Sequence, residues 1–274
     1  MKGSIRDILV VSDMDGTLLG PDHQLAPADM ETIRLFIALG GHFTVATGRT
    51  FASIAMYPEL KAVIDPAITC GGAVIYDFAK NEAAKSFVLP HLAARQAMRD
   101  LLKCFPGLGA MVMGNDMRLY KVAHSEQLMD LIQIEKMTYF TRPGEDLPAE
   151  WNKVLFAGPD DVLSEVQEYT KNRTYPGVYF VKTNEFYYEM MPKGVSKGSA
   201  LDELCTLLGV SIKNTVVIGD YYNDLAIMKK AGHAVAMENA PQEVLDASDE
   251  QTASNQQSGV GQYLYKLIRK YESD

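Results

Sequence analysis

The sequence predicts an α/β fold in which a mostly parallel sheet is flanked by helices and a second, α+β module is inserted. Short β-branched runs ending in Asp, Gly or Thr clusters alternate with helix-periodic segments near both ends of the chain, the pattern of a parallel sheet with right-handed crossovers. From about Asn81 the texture changes to aromatic and β-branched runs separated by helical segments. At 274 residues the chain also exceeds the usual single-domain size of ~100 to 200 residues. These observations divide it into a core of residues 1–82 and 191–274 and an insert of residues 83–190.

The first strand is Ile8-Leu9-Val10-Val11, cut off by Asp13-Met14-Asp15-Gly16-Thr17. Ligands of open α/β sheets bind at the carboxyl ends of strands, where these two carboxylates fall. At a ~4 Å separation two aspartates repel by a few kcal/mol at an effective dielectric near 20, so a buried arrangement asks for a cation. With no Cys or His nearby, oxygen ligands point to a hard ion, Mg²⁺ above all. Taken alone, the loop also reads as an acidic turn capping the next helix, the less favoured alternative.

A helix from about Pro27 to Leu39 stops at Gly40-Gly41, and His42 to Ala46 form a second strand. That strand ends in Thr47-Gly48-Arg49, ahead of a helix over Phe51 to Tyr57. Backbone N–H groups and the Thr47 hydroxyl suit phosphate oxygens here, although Thr47 alone also reads as a helix cap. A third apolar stretch, Ala62 to Thr69, ends at Cys70-Gly71-Gly72, and Ala73 to Tyr76 make a short strand. In the insert, helices fall at Ala93–Phe105, Glu126–Ile134 and near Asp161–Thr170, and strands at Ala110–Val112, Arg118–Val122 and Val154–Ala157. A Pro/Gly-rich connection covers Thr141 to Glu150, and Val178–Val181 with Phe186–Met190 form a hairpin.

After Pro192, Ser196 caps a helix over Ser199 to Leu208, which leaves Lys197 in its first turn. A lysine there opposes the helix dipole and makes better sense beside an anion, though a solvated lysine is the commoner case. Thr215 to Ile218 form another buried strand, ending in Gly219-Asp220-Tyr221-Tyr222-Asn223-Asp224, and a helix covers Leu225 to Lys230. If this strand lies beside the first, Asp13, Asp15, Asp220 and Asp224 converge, with Lys197 and Thr47 as compensating donors.

The formal net charge of -9 argues against nucleic acid or an anionic membrane as the main partner. Cys70, Cys104 and Cys205 lie far apart with no metal or disulfide spacing, and the five histidines are scattered. With no signal-like stretch and no run of ~18 apolar residues, a soluble cytoplasmic protein without an obligate protein partner is expected.

In order and spacing, the Asp13–Thr17, Thr47–Arg49, Gly194–Gly198 and Gly219–Asp224 clusters resemble the four motifs of the haloacid dehalogenase-like superfamily. The resemblance is to its Cof-type phosphatases of subfamily IIB, with a Rossmann-like core and a C2-type cap, and extends to Ala234–Ala240 and Ser258-Gly259-Val260. It implies Asp13 as nucleophile and Asp15 as general acid/base. Asp13, the Asp15 backbone carbonyl and Asp220 would bind Mg²⁺, with Asp224 supporting the metal shell or Lys197. Thr47, Gly48, Lys197 and Asn223 would hold the phosphoryl group. Relatives often read Asn-Gly-Ala where this chain has Gly71-Gly72-Ala73, which removes an amide from the leaving-group region.

The resemblance implies a phosphatase of a small phosphorylated metabolite, sugar phosphates leading, with a cap that closes over the site and selects the leaving group. Arg118, Lys121, Arg142 and Lys182 are candidate cap contacts, each also readable as a surface cation. Protonation of the leaving alkoxide by Asp15 calls for a raised pKa. A phosphomutase and a non-catalytic phosphometabolite sensor are the alternatives.

Overall fold

The computed structural model describes residues 4–142 and 146–272; residues 143–145 of the Thr141–Glu150 connection lie outside it. The chain forms two compact units, Met1–Lys85 with Ser196–Asp274, and Ser86–Val195. The strands are β1 (Leu9–Ser12), β2 (His42–Val45), β3 (Ala67–Thr69), β4 (Val74–Asp77) and β5 (Glu82–Ser86). The second unit carries β6 (Gly109–Gly114), β7 (Leu119–Ala123), β8 (Phe140–Thr141), β9 (Trp151–Ala157), β10 (Val178–Lys182) and β11 (Tyr187–Pro192). In the first unit again come β12 (Thr215–Gly219), β13 (His233–Met237) and β14 (Glu250–Thr252).

In the first unit a five-stranded, wholly parallel sheet has the order β14-β13-β12-β1-β2. Its central strands carry apolar side chains on both faces because both faces are covered. Alternation sends Ile8, Val10, Val216, Ile218, Val235 and Met237 into one core, and Leu9, Val11, Val217, Ala234 and Ala236 into the other. The first core is closed by helices Pro27–Ala38 and Gly259–Glu272, the latter through Val260, Tyr263, Leu264, Leu267 and Ile268 at helical spacing. A fully buried aromatic or aliphatic side chain of this kind contributes about 1.5–3 kcal/mol.

Two local expectations are corrected. The helix expected over Phe51–Tyr57 covers only Phe51–Ile54, and a separate short helix, Pro58–Lys61, follows it; Tyr57, before the proline, sits outside the α region at φ -105, ψ 76. The apolar stretch from Ala62 yields a strand only at Ala67–Thr69, which pairs antiparallel with β4 in a separate sheet of order β3-β4-β5. An isolated parallel bridge between Ala46 and Ile68 is its link to the main sheet.

The second unit holds a six-stranded mixed sheet, order β10-β11-β9-β6-β7-β8, with the expected hairpin pairing Val178 to Pro192 and Lys182 to Tyr188. Its core gathers Val112, Trp151, Val154, Phe156, Tyr188 and Met190 with the helix residues Met98, Leu101, Leu163 and Val166. Lys153 and Glu189, on neighbouring strands, form a buried ion pair at 2.7 Å. No helix among the described residues is long and apolar enough to cross a membrane.

Candidate active site

Parallel register places the carboxyl ends of β1, β2 and β12 side by side, and each ends in one of the polar clusters. The Asp13 N–H donates to the Ile218 carbonyl at 2.9 Å, so the first acidic loop leaves the sheet tied to the strand that carries the second. Asp13, Asp220 and Asp224 are buried, with carboxylate oxygens within 4.8 Å of one another.

Lys197 opens the helix Lys197–Leu208, capped by the Ser196 hydroxyl, and its side chain is 4% exposed. Its Nζ donates to Asp13 Oδ1 and to Asp224 Oδ1, both at 2.8 Å. Burial alone would pull the ammonium pKa down; the two carboxylates outweigh it and lift it. The other Asp224 oxygen accepts the N–H groups of Asp220 at 3.1 Å and Tyr221 at 3.3 Å, which fixes the turn after β12.

One ammonium faces three carboxylates. Burial first, then the neighbouring Asp224 charge, pushes Asp13 well above the usual carboxylate range against the pull of Lys197. Burial likewise pushes Asp220 up to about 6, although the Thr17 hydroxyl donates to its Oδ1 at 2.7 Å. Carboxylates so close that they resist ionisation are a donor set that a hard divalent cation satisfies. The loop is shaped to admit them: Gly16 has φ +78, and a Cβ there would stand 2.3 Å from Asp220 Oδ2. The residues present thus fit a metal site, with Asp13 and Asp220 available as ligands.

Asp15 points elsewhere. Arg49 grips its carboxylate with Nε and Nη2, each at 2.7 Å, and His23 Nδ1 lies 3.3 Å from the same group. Burial tends to raise this carboxyl, but the Arg49 hydrogen bonds and charge, with His23, hold it below the usual range. The expected raised pKa of Asp15 is therefore corrected, because an arginine fork stabilises the ionised form.

Thr47 is buried at the end of β2, and its hydroxyl accepts the Arg49 N–H at 3.1 Å. The next helix is capped instead by Thr50, whose hydroxyl accepts the Ser53 N–H. At Gly48 a Cβ would meet nothing within 4 Å, so the backbone borders open space. Asn223 is exposed on the turn Tyr222–Asp224. In the Gly71-Gly72-Ala73 loop, Gly72 has φ +105 and a Cβ there would stand 2.3 Å from the Ser196 carbonyl; the second glycine lets this loop pack under the Lys197 helix.

Sequence reasoning did not assign Thr17, His23 or Arg49 to the site. Arg49 was visible as the cation of Thr-Gly-Arg, but the contact between Thr17 and Asp220 spans 203 positions and leaves no local signal. Of the four candidate cations of the insert, Lys182 is paired with Asp160 at 2.5 Å, Lys121 lies 5.1 Å from the Tyr139 ring centroid and Arg118 5.6 Å from that of Phe140. Arg142 is exposed.

The chain matches the haloacid dehalogenase-like hydrolases over residues 10–264 and belongs to that family. Curated relatives that it matches are named as phosphatases. A putative phosphatase of Streptococcus pyogenes serotype M6 is 28% identical over 269 residues, covering 95% of this chain and 98% of the relative. The pyridoxal phosphate phosphatase YbhA of Escherichia coli is 24% identical, with 95% and 98% covered. A haloacid dehalogenase-like hydrolase from Bacteroides thetaiotaomicron has the same fold, with a TM-score of 0.84 at 23% identity over 95% of this chain and 99% of its own.

Proposed function

We propose that the protein is a Mg²⁺-dependent phosphomonoester hydrolase of small phosphorylated metabolites that works through an aspartyl-phosphate on Asp13. The observation that carries this reading is Asp13 itself, a buried strand-end carboxylate 2.8 Å from the Lys197 ammonium and beside Asp220 and Asp224. A carboxylate needs no base to attack phosphorus; it needs the repulsion of the phosphoryl oxygens cancelled. Mg²⁺ held by Asp13, the Asp15 backbone carbonyl and Asp220 would supply part of that positive charge.

Lys197 supplies the rest, with the Thr47 hydroxyl, the Gly48 backbone and Asn223 holding the phosphoryl oxygens. An Asp13 oxygen forms a bond to phosphorus as the ester P–O bond breaks, and the leaving alkoxide takes a proton from Asp15. Water then attacks phosphorus, gives its proton to Asp15, and the bond to Asp13 breaks. The Arg49 fork favours the ionised form of Asp15, which is the form suited to activating water. Donation in the first half requires Asp15 to leave the fork.

The leaving-group classes to compare are sugar phosphates, expected from the sequence, and heteroaromatic esters of the kind named for the E. coli relative. Phosphate release from a panel of both, with Mg²⁺ or EDTA, tests the reading. Mg²⁺-dependent release supports it; isomerisation of a sugar phosphate without release would make the protein a mutase, and binding without either would make it a sensor.

A further inference from the structure

The segment Cys70-Gly71-Gly72, between β3 and β4, has positive φ at three residues in succession, +53, +69 and +105. Glycine takes such angles without steric cost, whereas a buried cysteine adopts them only where its surroundings insist. Conformations of this kind persist where contacts over-determine them. Two sets of contacts hold this loop, and each leads to a segment proposed to bind the phosphoryl group.

On one side, the Gly71 N–H donates to the Thr47 carbonyl at 3.0 Å and the Cys70 N–H to the Arg49 carbonyl at 2.8 Å, so the loop holds the backbone on both sides of Gly48. The C=O and N–H of a trans peptide point opposite ways, and the bond to the Thr47 carbonyl therefore turns the Gly48 N–H away from the loop. On the other side stands the start of the helix Lys197–Leu208. A Cβ at Gly72 would lie 2.3 Å from the Ser196 carbonyl oxygen and 2.8 Å from the Lys197 backbone nitrogen. Any side chain at this position must displace the first turn of that helix or the loop itself. Lys197 Nζ donates to Asp13 at 2.8 Å, so a shift of its backbone is felt at the candidate nucleophile.

We infer that the Cys70–Gly72 loop is a positioning element of the phosphoryl site, in which Gly72 sets Lys197 against Thr47 and Gly48. The inference rests on the phosphatase reading for the ligand that is positioned. Inorganic phosphate with saturating Mg²⁺, and Mg²⁺ alone, are titrated into the protein by calorimetry. Gly72→Ala is expected to weaken phosphate binding about tenfold or more, as loss of a charged hydrogen bond does, while Mg²⁺ affinity, set by Asp13 and Asp220, falls less than about threefold. Gly209→Ala is the control. Gly209 has φ +68 at the far end of the same helix, where a Cβ meets nothing within 4 Å, so the substitution strains the helix without displacing Lys197 and should leave phosphate affinity as it is. Cys70→Gly adds no bulk but loosens the loop, and is expected to weaken phosphate about threefold; it carries the test if Gly72→Ala does not fold. Phosphate affinity that is unchanged in the loop variants, or lost together with Mg²⁺ affinity, overturns the positioning role alone. Absence of phosphate binding by the unmutated protein overturns the phosphatase reading as well.

Discussion

Arg49 holds both oxygens of Asp15, with Nε and Nη2 each at 2.7 Å, while the Arg49 N–H binds the Thr47 hydroxyl at 3.1 Å. One residue therefore sets the position of the proposed acid/base and of a proposed phosphoryl contact. Lysine keeps the charge but not the fork. Arg49→Lys is expected to lower kcat by roughly 10- to 100-fold, as misplacement of a reacting group does, with a smaller change in KM. An unchanged kcat would show that the fork is not needed.

Among the described residues, Lys197 is the one ammonium in hydrogen-bond contact with Asp13 and Asp224. Removing one partner of a buried pair costs roughly 3–5 kcal/mol. Lys197→Met should therefore lose about that much stability in EDTA and recover part of it with Mg²⁺, as read by chemical denaturation. Loss of activity with unchanged stability would contradict the buried geometry.

The pH dependence of the metal-free protein follows from the raised carboxyls. Asp13 is well above its ordinary range and Asp220 is pushed up to about 6, so the folded state binds more protons than the unfolded chain between about pH 4 and 6 and above. This contribution is fully present below pH ~4 and is lost as pH rises through the folded values. Metal binding must displace those protons, so the rise in melting temperature caused by Mg²⁺ is expected to grow from pH 5 to pH 7.5. A Mg²⁺ effect that is flat or falls over that range would contradict the shared acidic site.

A second titration lies away from the site. Asp29 is buried in the first turn of helix Pro27–Ala38 and accepts the Gly261 N–H at 2.6 Å, and burial pushes its pKa up to about 6 despite that bond. The folded value is raised, so the protonated form stabilises the protein at low pH and the benefit is lost as pH rises through 6. Asp29→Asn should reduce the fall in stability between pH 4 and 7 by up to about 3 kcal/mol relative to the unmutated protein. Parallel pH profiles for the two would refute the assignment.

In the second unit, Lys153 and Glu189 pair at 2.7 Å with both side chains buried. Glu189→Leu alone removes the carboxylate partner of a buried ammonium and should cost roughly 3–5 kcal/mol, whereas adding Lys153→Met should restore most of it. A denaturation cycle with additive losses would mean that the charges do not depend on each other.

The strand-end clusters were legible in the sequence because each followed a short β-branched run, and parallel pairing of β1 with β12 brought Asp13, Asp220, Asp224 and Lys197 into contact. The ionisation of Asp15 was not legible, because it depends on a side chain 34 positions away. The Thr17 contact to Asp220 was hidden for the same reason. The sequence reading carried one helix through to Tyr57 and missed the separate helix that begins at Pro58. The antiparallel turn of β3 away from the main sheet was not legible either, since a three-residue apolar run carries no pairing direction.

The most direct test of the account is phosphate release by the unmutated protein and by Asp13→Asn, with Mg²⁺ and with EDTA, on a substrate that the panel identifies. The account predicts Mg²⁺-dependent release that disappears in Asp13→Asn while circular dichroism shows the variant folded. Sustained turnover by folded Asp13→Asn, free of contaminating phosphatase, would contradict Asp13 as the nucleophile.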